Sequence, residues 1–168
     1  MPPEQQVEIT MTVRQLSPGQ MAFQDMMALS LDVNFFTSEF RLCDVIAEYL
    51  ANIAAQSHED PARYANFSSQ LINEIVEVAF GSARTISKVD FNLLKNGVCV
   101  RICVGFVQDK DSLMTWAALN GPAALPPQHH AYDLLILARA MDVDLRAEVG
   151  GDCRITLVAD FLVREGVH

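Results

Sequence analysis

The stretch Phe67 to Ser82, FSSQLINEIVEVAFGS, constrains this chain more than any other, because it is one long amphipathic pattern with polar groups set at the edge of its apolar stripe. Phe67, Leu71, Ile72, Ile75, Val76, Val78 and Ala79 follow i, i+3, i+4 spacing, which predicts a helix with one buried face. Ser68 or Ser69 is the expected cap of its first turn and Gly81 its expected end. Asn73, Glu74 and Glu77 then lie beside the stripe, where a core helix meets a cleft. On periodicity alone they are equally well a solvated helix edge.

The rest of the chain supplies strands and helices for that helix to pack against. Gln6 to Arg14 alternates, with Val7, Ile9, Met11 and Val13 on one face, and predicts a strand ending at the turn Ser17-Pro18-Gly19. Met21 to Phe36 is rich in Met and Phe without a decisive period, although LSLDVNF suits a second strand. Thr37 or Ser38 is placed to cap a helix reaching about Gln56, and Pro61 to open the next one. Thr85 to Leu94 and Val98 to Val107 are strand-like runs joined at Lys95-Asn96-Gly97, and Asn-Gly between such runs signals a hairpin. A short helix over Asp109 to Leu119, a proline-stiffened loop GPAALPPQ and a helix from about Gln128 to Met141 follow. Val143 to Val149 and Cys153 to Val163 make a second hairpin, turning at Gly150-Gly151-Asp152.

Composition limits what such a chain binds. The 168 residues, 51% of them apolar, suit one domain with a sizeable core. A formal charge of -9, from 12 basic and 21 acidic residues, argues against nucleic acid or an anionic membrane as partner, since phosphate contacts need clustered Lys and Arg. A protein partner or a small ligand is the expectation. The sequence has no apolar run of membrane-spanning length and no basic or apolar leader in MPPEQQVEIT, so a cytoplasmic location is expected. Cys43, Cys99, Cys103 and Cys153 form no CxxC pair and are expected to be buried free thiols.

The segment LINEIVEVAF resembles the N-box helix of the histidine-kinase-like ATPase superfamily, the GHKL or Bergerat fold, whose pattern is roughly INELVENA. In that family a Glu polarises the attacking group and an Asn four residues later holds magnesium. Glu74 stands at the Glu position, and Val78 stands at the Asn position. Valine offers no oxygen to a cation that takes only oxygen ligands. The order of elements and the closing stretch YDLLILARAMDVDLRAEVGGDCRITLVADF are also similar to the family, over about Phe67 to Phe161. The resemblance implies a two-layer α/β sandwich over residues 1–168, with a mixed or antiparallel sheet covered by helices on one face. An N-terminal strand and Met/Phe-rich segment, 1–36, would precede a core of 37–163.

The family's other boxes are altered here. Its DxGxG turn, whose Asp accepts from the adenine amino group, corresponds to VGFVQDKDSLMTW, with Asp109 or Asp111 as the Asp and no glycine following. Its glycine-rich phosphate loop corresponds to Gly121 and PAALPPQHHAY, where prolines have no N–H to donate. His129 and His130 lack a neighbouring ligand at metal spacing, and His58 follows a helix rather than sitting inside one as a phospho-accepting histidine does. GxSxG, HExxH and P-loop motifs are absent.

The resemblance therefore implies a non-catalytic regulatory module of bacterial-type signalling that binds a protein such as a sigma-factor regulator or a response regulator, with no cofactor and no metal. One alternative is an ATP-dependent serine kinase of the anti-sigma-factor type, with Glu74 as base and Asn73, Glu77, Asp109, Asp111 and Gly121 around ATP and magnesium. A second alternative is a homodimeric scaffold whose contact is Met21 to Phe40, the chain's densest Met/Phe segment.

Overall fold

Asp60 and Pro61 set the start of the long helix. The Asp60 carboxylate accepts a hydrogen bond from the Arg63 backbone N–H at 3.2 Å, and Pro61 occupies the first turn, where its missing N–H is not needed. The helix runs Pro61–Ser82, so it begins six residues before Phe67. Ser68 and Ser69 are therefore inside it rather than capping it; their hydroxyls donate back to the carbonyls of Tyr64 (2.8 Å) and Asn66 (2.9 Å). Gly81 lies in the last turn, and the chain leaves the helix at Ala83, which is extended at φ -71°, ψ 148°.

The computed structural model describes residues 22–35, 41–56, 58–109, 116 and 131–163. In chain order the elements are β1 (Gln24–Asp32), a short 3-10 turn (Val33–Phe35), α1 (Arg41–Ala55), α2 (Pro61–Ser82), β2 (Lys88–Lys95), β3 (Cys99–Val107), α3 (Tyr132–Ala140), β4 (Asp144–Val149) and β5 (Arg154–Leu162). The strand suggested at LSLDVNF overlaps β1 over residues 29–32, while β1 begins earlier, at Gln24, and Val33–Phe35 form the 3-10 turn; both expected hairpins form. The expected strand Gln6 to Arg14, the caps Thr37 and Ser38, most of the expected helix after Asp109 and the proline loop lie outside the described residues.

The five strands form one antiparallel sheet in the order β1-β2-β3-β5-β4. At the β2–β3 turn the Asn96 side-chain oxygen accepts from the backbone N–H groups of Val98 (3.0 Å) and Cys99 (2.9 Å), which fixes the hairpin register. Alternation then assigns the two faces. Phe91, Ile102, Val104, Leu157 and Ala159 point into one core with Leu71, Ile72, Ile75 and Val76 of α2, all at most 1% exposed. Each such side chain contributes about 2 kcal/mol by leaving water. The fold is the α/β sandwich expected from the sequence, its sheet antiparallel and its helices on one face.

The opposite sheet face carries charge. Arg101 on β3 makes a two-pronged ion pair with Asp160 on β5 (2.7 and 2.8 Å), and Arg146 on β4 reaches the same carboxylate at 3.1 Å. Arg154 on β5 spans β3 to reach Asp90 on β2 at 2.6 Å, and Asp90 in turn accepts from Ser30 on β1 at 2.6 Å. Polar contacts thus tie all five strands together. The four cysteines are free; Cys43 and Cys99 are buried as expected, whereas Cys103 and Cys153 are half-buried. Burial pushes the Cys43 thiol up to about 11 and Cys99 to about 12, so both stay protonated at neutral pH.

Candidate functional site

The polar edge of α2 faces α3. Asn73, Glu74 and Glu77 are half-buried there, one helical turn apart. The Asn73 amide N–H donates to Glu77 Oε1 at 3.0 Å. Because a carboxylate only accepts, the amide nitrogen must face Glu77 and the amide oxygen must point away. That oxygen is buried and has no hydrogen-bond partner among the described residues. It is an acceptor available to a donor group.

Glu74 sits in an acidic setting. Burial, then the charges of Glu77 and of Asp133 in the first turn of α3, push its carboxyl above the ordinary glutamate range. None of the groups that shift it is a cation. Val78, one turn beyond Glu74, packs against the core with its apolar side chain. Among the described residues no three of His, Cys, Asp and Glu converge to hold a metal ion.

The other expected positions are scattered. Asp109 follows β3 as a strongly exposed residue whose carboxylate is 3.2 Å from Arg84 Nε, so it is held in a surface ion pair. Asp111, Gly121, His129 and His130 lie outside the described residues. The structure brings Asn73, Glu74 and Glu77 together and adds one residue that sequence reasoning missed. Asp133 carries no motif, and only the packing of α3 beside α2 brings it to Glu74. Gln108, 5% exposed at the end of β3, has a buried side-chain oxygen without a partner among the described residues. A polar residue directly after an apolar strand is its only sequence signal.

Among the described residues this edge offers carboxylates and the amide oxygen of Asn73, and none of the groups that shift Glu74 is a cation. A carboxylate of raised pKa is a stronger proton acceptor than an ordinary one, and a buried amide oxygen accepts a hydrogen bond from a ligand N–H or O–H. A triphosphate finds no positive partner on the described part of this edge.

No family model matches the sequence, and no curated protein sequence matches it. Among solved structures, the chain is similar to the catalytic domain of the histidine kinase ThkA in two nucleotide-free crystal forms. One is 11% identical with a TM-score of 0.46, covering 82% of this chain and 99% of that one. The other is 9% identical, also at 0.46, covering 82% of this chain and 97% of that one.

Proposed function

We propose that the chain is a non-catalytic regulatory module of the histidine-kinase-like ATPase type that acts by binding another protein in bacterial-type signalling. The observation that supports this most is the environment of Glu74: two further carboxylates shift it, no cation does, and the residue one turn on is the partly buried Val78, packed against the core. A nucleotide triphosphate brings several negative charges, and phosphoryl transfer relies on magnesium and cationic groups to offset them. An edge of this composition disfavours that ligand, and the protein-binding role is what the resemblance leaves. The partner is a sigma-factor regulator or a response regulator, and the location is the cytoplasm.

Calorimetric titration with ATP and magnesium tests the reading. The expected outcome is no saturable binding up to about 1 mM, a standard free energy weaker than about -4 kcal/mol. Low-micromolar binding overturns it.

One observation favours the serine-kinase alternative. A glutamate held above its ordinary range is what a general base needs. If ATP binds and Glu74→Ala abolishes a measurable phosphotransfer, that alternative replaces the binding-module reading.

A further inference from the structure

Asparagine is a thermolabile residue, and most so before glycine. Its side-chain carbonyl carbon is one ring closure away from the next backbone nitrogen, and a residue with no Cβ leaves that nitrogen open to approach. The chain has two such pairs, Asn96-Gly97 and Asn120-Gly121, of which the second lies outside the described residues.

The turn between β2 and β3 holds Asn96 by its side-chain oxygen. Oδ1 accepts from the backbone N–H groups of both Val98 (3.0 Å) and Cys99 (2.9 Å). The Asn96 N–H donates to the Cys99 carbonyl at 3.0 Å, and the Val163 N–H donates to the Val98 carbonyl at 2.9 Å, so the turn is pinned from both sides. Gly97 is exposed, and a cleft of about 390 Å³ that Lys95, Asn96 and Gly97 help to line admits water.

Two N–H donors aimed at one carbonyl oxygen are the arrangement that stabilises an oxyanion. Here the oxygen is the one on which charge develops when a nucleophile attacks Asn96 Cγ.

We propose that Asn96 is a self-modification site that the folded turn directs to aspartate. A base from solvent takes the Gly97 N–H proton, and the Gly97 nitrogen attacks Asn96 Cγ. The Cγ–Nδ2 bond breaks, the amide nitrogen takes up a proton and leaves as ammonia, and a succinimide ring is closed. Water then opens the ring at one of its two carbonyl carbons. Breaking the bond from Cγ to nitrogen restores the main chain and leaves aspartate. Breaking the bond from the main-chain carbonyl carbon leaves isoaspartate, with the chain routed through Cβ. Either way one water is consumed and one ammonia released.

The Val98 and Cys99 N–H groups polarise the Cγ carbonyl and not the main-chain one, so water adds at Cγ. Aspartate also keeps the turn, because a carboxylate accepts both N–H groups. Isoaspartate lengthens the main chain by one atom and carries its acceptor away from them. The aspartate product places a new negative charge on the cleft beside Lys95.

Incubating the full chain at mildly alkaline pH, native and in parallel unfolded in urea, tests the proposal. Trypsin, cutting after Lys95 and Arg101, releases residues 96–101 as a peptide separate from the one that carries Asn120. Mass spectrometry reads the change from amide to acid, and synthetic peptides of both products serve as chromatographic standards. The aspartate-to-isoaspartate ratio should be about tenfold or more higher from the native chain than from the urea sample. Gly97→Ala should slow the native conversion about tenfold or more, by crowding the attacking nitrogen. Val98→Pro, which lacks one of the two donors, should move the native ratio toward the urea value. Circular dichroism checks that each variant folds, and the native-to-urea comparison of the unsubstituted chain decides without them.

A native chain that keeps Asn96 intact while the urea sample converts overturns the proposal. So does a product ratio that is the same in both samples, or a native rate that Gly97→Ala leaves unchanged. These readouts do not depend on whether ATP binds.

Discussion

The guanidinium of Arg154 lies directly over Gly105: a Cβ built on that glycine would stand 2.6 Å from Arg154 Nη2, closer than such atoms approach. Glycine at this point of β3 is what lets Arg154 cross from β5 to Asp90 on β2. Gly105→Ala should destabilise the protein by about 1 kcal/mol, because the half-exposed Arg154 must swing off Asp90. The same substitution in an Arg154→Ala background should cost less. A double-mutant cycle in urea checks this, and additive effects would refute the link.

Asp160 holds two guanidinium groups and is 8% exposed. Burial alone would push its carboxyl up, but the hydrogen bonds and charges of Arg101 and Arg146 outweigh burial and hold it below the ordinary aspartate range. Asp160→Ala should cost about 3 kcal/mol, since it leaves Arg101 unpaired in a half-buried site.

The same shift fixes a pH dependence. Asp160 and Asp90 both have carboxyls lowered in the fold. Between the folded and unfolded values the unfolded chain binds more protons. Their contribution is therefore present above the ordinary aspartate value of about 3.9 and is lost as pH falls through the lowered folded value. Urea midpoints measured from pH 7 to pH 3 should drop at the acid end, and Asp160→Asn should flatten that drop.

Glu74 works in the opposite sense. Its folded value is raised, so the ionised carboxylate weakens the fold at neutral pH, and this penalty vanishes as pH falls below the ordinary glutamate value of about 4.3. Glu74→Gln should raise stability at pH 7 by about 0.5 kcal/mol, the scale of relieving a like-charge contact on a helix. At pH 3 it should have no effect. Thermal melts at the two pH values decide it, and a loss of stability at pH 7 would mean that the carboxylate has a partner that strengthens the fold.

The dimer reading has its own measurement. Among the described residues β1 is an edge strand, with half-buried Met26, Met27, Leu29 and Leu31 and a partner on one side. A dimer by light scattering at micromolar concentration, dissolved by Ser30→Pro on that strand, is the expected outcome. A monomer for the unsubstituted chain counts against it.

Local signals were enough for most of the fold. The Asn96-Gly97 hairpin, the α2 stripe and the closing hairpin at Gly150-Gly151 are each written in a few consecutive residues, and each forms. The start of α2 was marked by Asp60-Pro61 rather than by Ser68, because a serine inside a helix can satisfy its hydroxyl on the preceding turn. β1 was hard to delimit. A Met/Phe-rich edge strand, kinked by the irregular register between Asp25 and Met27, loses the clean period of two. The site was less legible still. Asn73, Glu74 and Glu77 are visible as a helix edge, but Asp133 comes to Glu74 only where distant segments meet.

The pairing of β3 with β5 joins two hairpins, β2–β3 and β4–β5, that are each local in sequence, and it closes only after the whole chain through α3 has been gathered in. Until it closes, each hairpin presents a bare inner edge that fits the other, in its own molecule or in a neighbour. Refolding at rising protein concentration should therefore divert chains into hairpin-exchanged dimers, in which the central seam of each sheet is stitched from two molecules.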